Sequence, residues 1–178
     1  MIEIIKINSE DYPQNKKVLF TYKSDKYYGV LITEDPIWNV SLELKEFETT
    51  FAKSMEVDIF DDYKQDLQCY IAKINDQEVG IISFNLQDWN NTFRIWDLYI
   101  DEKFQGQGIG KTLVEIAINQ AEEEGIRAIV LETQTSNYNA IKFYLKSGFR
   151  FIGLDTIHYS NQDIENKEVR IEMAYFIE

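Results

Sequence analysis

A single cysteine, Cys69, leaves the chain no partner for an internal disulfide. A single histidine, His158, leaves it without the Cys/His clusters that hold zinc. Positive charge is also scarce: 18 Lys and Arg against 31 Asp and Glu give a formal net charge of −13. A nucleic-acid surface needs a basic patch to neutralise phosphates, so no nucleic-acid partner is expected. No apolar run approaches the roughly 20 residues needed to cross a bilayer. Met1-Ile2-Glu3 does not begin a signal peptide, so a cytoplasmic protein with no membrane partner is the expectation. Linkers, internal repeats and low-complexity runs are missing too. The 178 residues are therefore read as one domain, and 44% apolar residues suffice for one well-buried core.

Glycine is sparse, with eight in the chain, yet three fall within Gln105-Gly106-Gln107-Gly108-Ile109-Gly110. Before this stretch runs Phe93–Ile100, rich in the aromatic and branched residues that sheets favour. After it, Leu113, Val114, Ile116, Ala117 and Ala121 recur as one face of a helix over 111–124, and Gly125 is placed to end it. The glycines thus sit on a strand-to-helix turn. There the first helical amides have no internal partner, and phosphate can approach without meeting a Cβ. Spacing separates the candidate phosphate loops. A nucleotide-triphosphatase loop ending in Gly110-Lys111-Thr112 would need glycine at Gln105, and Gly106 is one residue too close. A dinucleotide fingerprint starting at Gly106 and Gly108 would need glycine at Lys111. Gln/Arg-x-x-Gly-x-Gly/Ala does fit, through Gln105, Gly108 and Gly110. On these six residues alone, a glycine-rich turn that binds nothing remains an alternative.

A second stretch lies downstream, from Asn137 through Ala140, Phe143 and Tyr144 to Gly148-Phe149. Ala140, Phe143 and Tyr144 fall on one side of a short helix that Gly148 ends. The two stretches, in this order, resemble the signatures of the GNAT superfamily, the GCN5-related N-acetyltransferases, over residues 68–176. The resemblance implies an α+β fold: a mixed, mostly antiparallel sheet with splayed central strands flanked by helices. It also implies acetyl-CoA as co-substrate. The coenzyme's pyrophosphate would lie on Gln105, Gly106, Gln107, Gly108, Ile109, Gly110, Lys111 and Thr112. Its pantetheine arm would run along Leu98-Tyr99-Ile100, with the Leu98 N–H facing the acetyl carbonyl.

Tyr144 is then the candidate general acid. A phenol is protonated at neutral pH and can hand its proton to a leaving thiolate of lower basicity. Packing alone is the other reading of Tyr144. Asn137 would cap the second helix or meet the pantetheine arm. Many relatives place Glu or His at the positions of Arg94 and Trp96, neither of which can deprotonate an ammonium. Asp97 points by alternation to the opposite sheet face from Leu98 and reads as structural, or as part of the acceptor's electrostatics. Glu132 and Thr133, at the end of a strand, are the remaining acceptor-side candidates. The amine would lose its proton through water.

Within the superfamily, Trp89-Asn90, Asp97, Leu131-Glu132-Thr133-Gln134, Asp155-Thr156 and Tyr159 resemble the streptothricin acetyltransferases. That implies a small cationic amine as acceptor and antibiotic inactivation as the role, and an acidic protein suits such a partner. A polyamine, an aminoglycoside-like cation and a protein amine remain alternatives, as does a non-catalytic acyl-CoA-binding module. His158 reads as a surface or pocket-edge residue, and Cys69 as a small core residue. Both monomer and homodimer are compatible with the sequence.

The coarse path is a strand over residues 1–7, a helix start at Ser9-Glu10-Asp11 questioned by Pro13, and two strands over 28–33 and 38–44. The segment 46–63 is open between a helix, on the spacing of Phe47, Phe51, Met55 and Ile59, and a loop over the active site. A hairpin over 69–74 and 79–86 follows, with Asn75–Glu78 as a four-residue connection. Then come the strand 93–100, the helix 111–124, a strand over 126–131, the helix 137–146, a strand over 149–154, a polar turn over 163–167 and a last strand over 169–176. One mixed sheet is expected.

Overall fold

The computed structural model describes residues 2–12 and 14–178. The strands are β1 (Ile2–Ile7), β2 (Lys17–Thr33), β3 (Asn39–Asp58), β4 (Gln68–Ile74), β5 (Gln77–Gln87), β6 (Thr92–Ile100), β7 (Ala128–Gln134), β8 (Arg150–Asp155) and β9 (Arg170–Phe176). The α-helices are α1 (Ile109–Glu123), α2 (Tyr138–Lys146) and the single turn α3 (Asp163–Asn166). Seven strands form a sheet in the order β1-β4-β5-β6-β7-β9-β8, while β2 and β3 form a separate two-stranded ribbon. The class is α+β as expected, but the expectation of one sheet is corrected to two.

The ribbon also corrects the reading of the first third. Only Ser9–Asp11 is helical, as one 3-10 turn, and the chain is extended from Lys17 onward. Pro13, on which the helix question turned, lies outside the described residues. Residues 46–58 form neither helix nor loop; they continue β3. Phe47, Phe51, Met55 and Ile59 are four residues apart, which satisfies a strand's period of two as well as a helix's face. The even positions from Glu46 to Glu56 are all exposed, whereas Phe47 and Phe51 are half-buried.

Contacts divide the chain into two compact units. The first is Met1–Thr21, Ser54–Leu131 and Tyr175–Glu178; the second is Tyr22–Lys53 and Glu132–Ala174. In the first, α1 packs on β4, β5 and β6. It does so through Ile109, Leu113, Val114, Ala117 and Ala121, the apolar face its spacing dictates. Leu113 is wholly buried, so truncation to Ala would cost about 2–5 kcal/mol. A second apolar cluster gathers Ile7, Ile59, Cys69, Ile71 and Ile81, with Val18, Phe20, Val57 and Tyr99 packed against it. β4 and β5 join through Asn75-Asp76 alone, since Ile74 faces Gln77. Both turn residues have positive φ (50° and 63°), the conformation of the tightest hairpin. The four-residue connection is thus corrected to two.

Two departures from regular pairing shape β6. It runs parallel to β7 through Thr92–Arg94 opposite Ala128–Val130, and the pairing goes no further along β6. Opposite β5, Ser83 pairs with Asp97 and Phe84 with Ile95, which leaves Trp96 as the extra residue of a bulge.

In the second unit, β8 and β9 are antiparallel, from Arg150 opposite Ala174 to Asp155 opposite Arg170. The ribbon is tied to the corner between β7 and α2: the Tyr28 N–H donates to the Thr135 carbonyl at 3.0 Å, and Asn139 Nδ2 donates to the Lys23 carbonyl at 3.1 Å. The expected polar turn at 163–167 contains α3, whose first residue, Asp163, accepts from the Tyr159 N–H at 2.9 Å.

Candidate active site

The first unit holds the glycine loop. Asp101 ends β6 by accepting from the Lys103 N–H at 2.9 Å, which starts a 3-10 turn over Glu102–Phe104. Gln105 then folds back, its Nε2 donating to the Ile100 carbonyl at 3.1 Å, so this side chain braces the loop against the strand. Gly106 and Gly108 both have positive φ (75° and 86°), and a Cβ on either would meet nothing within 4 Å. Gly108 is the N-cap of α1 and offers no side chain to it. The amides of the first turn, Ile109 to Lys111, therefore receive no capping side chain from Gly108 at the positive end of a 15-residue helix. Buried Ile109 anchors that end, and Thr112 closes the first backbone bond to the Gly108 carbonyl at 3.0 Å. Lys111 is exposed and pairs with Glu115, one turn further along α1, at 3.5 Å. Loop and amides fit a diphosphate: anionic, backbone-recognised, and needing the room a Cβ would take.

Leu98, Tyr99 and Ile100 are half-buried on β6, with Tyr99 stacked on Phe20 at 4.9 Å between ring centres. Asp97 is buried. Lys64 Nζ donates to its Oδ2 at 2.8 Å, and the Ser83 hydroxyl donates to the same oxygen. Burial pushes the Asp97 carboxyl up from its ordinary value, while Lys64 and the Ser83 hydroxyl oppose that shift. Lys64 carries no local sequence signal, being 33 residues away. Trp96 donates from Nε1 to Asn85 Oδ1 at 2.8 Å, has the Arg94 guanidinium over its ring at 4.7 Å and meets Tyr63 edge-on at 5.4 Å.

The second unit holds the other signature. Asn137 caps α2, its Oδ1 accepting from the Ala140 N–H at 3.2 Å, so capping accounts for one end of its side chain. Gly148, at φ 91°, lets the chain reverse, and the Phe149 N–H bonds back to the Tyr144 carbonyl at 3.0 Å. Tyr144 is buried between Phe143 and Phe149, with ring centres at 5.3 and 5.6 Å. Thr133 is buried. Glu132 is not a lone carboxylate: Arg170 Nη2 lies 2.7 Å from its Oε2 and 2.7 Å from Oε1 of Glu172. Arg170 also stands 3.2 Å from the His158 ring, which meets Tyr159 edge-on. The sequence did hold a signal for Arg170, because Glu168, Arg170 and Glu172 alternate onto one face. Beside this group, Lys53 pairs with Glu168 and lies over the Tyr159 ring at 5.5 Å. The Tyr22 hydroxyl lies 2.8 Å from the Ser136 hydroxyl, and burial pushes its phenol up to about 12. Among the described residues no helix is long and apolar enough to cross a membrane, and no group of three or more acidic, His or Cys side chains could hold a metal.

Comparison with known proteins agrees with this geometry. The profile of the acetyltransferase (GNAT) family matches residues 38–149. A streptothricin acetyltransferase of Escherichia coli is 32% identical over 116 residues, which is 65% of this chain and 66% of that protein, just under two thirds of its length. A Bacillus anthracis structure in complex with acetyl coenzyme A superposes with a TM-score of 0.79 at 24% identity, over 100% of this chain and 98% of that one. The nourseothricin acetyltransferase structure superposes at 0.80 with 22% identity, over 98% of both chains. At these identities the two structures speak for the fold.

Proposed function

Because the chain belongs to the acetyltransferase (GNAT) family, we propose that it moves an acetyl group from acetyl-CoA to a primary amine of a small cationic acceptor of the streptothricin class. On this reading it inactivates the antibiotic in the cytoplasm. The observation that carries the donor half is the N-terminus of α1, which no side chain caps and which follows two glycines with open space where a Cβ would stand. When bound, the thioester supplies an activated acetyl group. The chain's own part is to hold and orient it, to polarise its carbonyl through the Leu98 N–H, and to place the Tyr144 phenol as proton donor to the departing sulfur. A phenol suits the part of an acid, and the Tyr144 ring is packed between Phe143 and Phe149.

For the acceptor half, support comes from the −13 net charge and from the names of the relatives. Glu132 and Thr133 stand on the acceptor side. With Glu132 bound by Arg170, its part is electrostatic, and the amine loses its proton to water. The test is thiol release from acetyl-CoA with streptothricin, a polyamine and an aminoglycoside in parallel, with mass spectrometry to locate the acetyl group. Turnover with streptothricin and acetylation of a single amine is the expected result. Coenzyme A giving no heat on titration would overturn the proposal, and turnover with another amine alone would overturn its acceptor.

A further inference from the structure

Three consecutive residues of the turn between β3 and β4 fasten onto the middle of β5 and β6. Tyr63 meets the Trp96 ring edge-on, Lys64 donates to Asp97 at 2.8 Å, and the Gln65 carbonyl accepts from Asn85 Nδ2 at 2.7 Å. The central contact is the most costly to build. The Lys64 and Asp97 side chains are only 1% and 4% exposed, and two charges removed from water repay their desolvation only when geometry is good and other hydrogen bonds fill the remaining positions. Both conditions are met: Lys64 Nζ also donates to the Asp58 carbonyl at 3.0 Å, and Ser83 donates to the Asp97 carboxylate. A core of leucines would hold β6 at less cost, so the pair invites a reason beyond stability.

Its position along β6 supplies one. Asp97 directly follows the bulge residue Trp96 and directly precedes Leu98, and regular pairing resumes there, with Asp97 opposite Ser83 and Leu98 opposite Ile82. The N–H of Leu98 belongs to the Asp97–Leu98 peptide itself. A bulge bends the strand and increases its local twist, so the angle of the first peptide plane after it depends on how the flanking residue is held as well as on the ladder. We propose that Lys64 and Asp97 are positioning residues, which lock the Asp97–Leu98 peptide so that the Leu98 N–H stands at a fixed angle for an acyl carbonyl. The inference rests on the acetyl-CoA reading above. It adds that the turn over 59–67, outside both glycine loop and motif helix, sets the geometry of the carbonyl-polarising amide.

The test is amide NMR of the protein titrated with coenzyme A and with acetyl-CoA, in wild type, Lys64→Arg and the double variant K64M/D97L. The double variant replaces the ion pair by apolar groups and so remains foldable even where Lys64→Met alone is not. In wild type, the Leu98 resonance is expected to move further with acetyl-CoA than with coenzyme A. In the double variant the glycine-loop resonances should still shift with both ligands while the thioester-specific shift of Leu98 is lost; kcat should fall about tenfold or more, with KM for acetyl-CoA within twofold. Lys64→Arg should keep part of both. A double variant with the full Leu98 response and wild-type kcat would overturn the proposal. Glycine-loop resonances of the wild type that ignore coenzyme A would instead overturn the donor reading beneath it.

Discussion

Gly108→Ala is the sharpest probe of the donor site, because the structure separates its effect on the fold from its effect on binding. The residue sits at φ 86°, so alanine there costs about 1–2 kcal/mol of left-handed strain. The added Cβ meets nothing within 4 Å, so no steric clash with the protein adds to that cost. For a chain of this length the melting temperature should fall by about 2–8 °C. Gly125 is the matched control. It lies just past the other end of α1, at φ 67°, also with nothing within 4 Å of a Cβ, so Gly125→Ala pays the same strain away from the loop. Only at Gly108 would the methyl group stand in the approach of a diphosphate to the first-turn amides. One charge-assisted hydrogen bond is worth about 1.5–3 kcal/mol, so loss of one corresponds to about tenfold to a hundredfold in affinity. Calorimetric titration of coenzyme A into both variants decides the matter. Equal affinities in Gly108→Ala and Gly125→Ala would refute the cradle, whatever the melting curves show.

Four further outcomes are expected. Tyr144→Phe should lower kcat of thiol release by about a hundredfold or more while leaving coenzyme A affinity unchanged; an unaltered kcat would leave Tyr144 as packing alone. Cys69 is wholly buried and burial pushes its thiol up to about 12, so iodoacetamide at pH 8 should label the native protein no faster than it unfolds, as read by mass spectrometry. The Tyr22 phenol is raised in the fold above its ordinary 10, so its contribution to stability is whole below pH 10 and is lost as pH rises through about 12. Tyr22→Phe should accordingly flatten the fall of the urea midpoint over that window. Arg170→Met removes the cation between Glu132 and Glu172 and should cost about 1–3 kcal/mol by urea unfolding, with Arg170→Lys restoring only part, since an ammonium cannot fork between two carboxylates.

What the sequence made legible was local. Gly106 and Gly108 take positive φ, as a tight strand-to-helix turn requires, and α1, α2 and their terminating glycines stand within two residues of their expected ends. The ribbon was illegible for a specific reason: a four-residue repeat of Phe47, Phe51, Met55 and Ile59 fits two periods at once, and only the polar residues between them distinguish the strand. Asn75-Asp76 was masked by Gln77 and Glu78, polar residues that belong to β5 rather than to its turn. Apart from the alternation around Arg170, which side chains from distant elements would meet left no trace. Glu132 was readable as a carboxylate, but its neutralisation by Arg170 depends on the pairing of strands 38 residues apart, and Lys64 was indistinguishable from any surface lysine until the turn around it closed over Asp97.

The short parallel contact between β6 and β7 carries a consequence for donor choice. Where the pairing of two neighbouring strands ends after three residues, the stretch of β6 beyond Arg94 has no β7 partner in that ladder, and backbone groups in such a stretch need hydrogen bonds from elsewhere. A molecule with amides strung along its own spine can answer as an extra strand would; a simple alkyl thioester cannot, however similar its reactive tip. Discrimination among acyl carriers would then be written into the carrier's length and not its cargo, and a truncated carrier should lose turnover far out of proportion to the atoms removed.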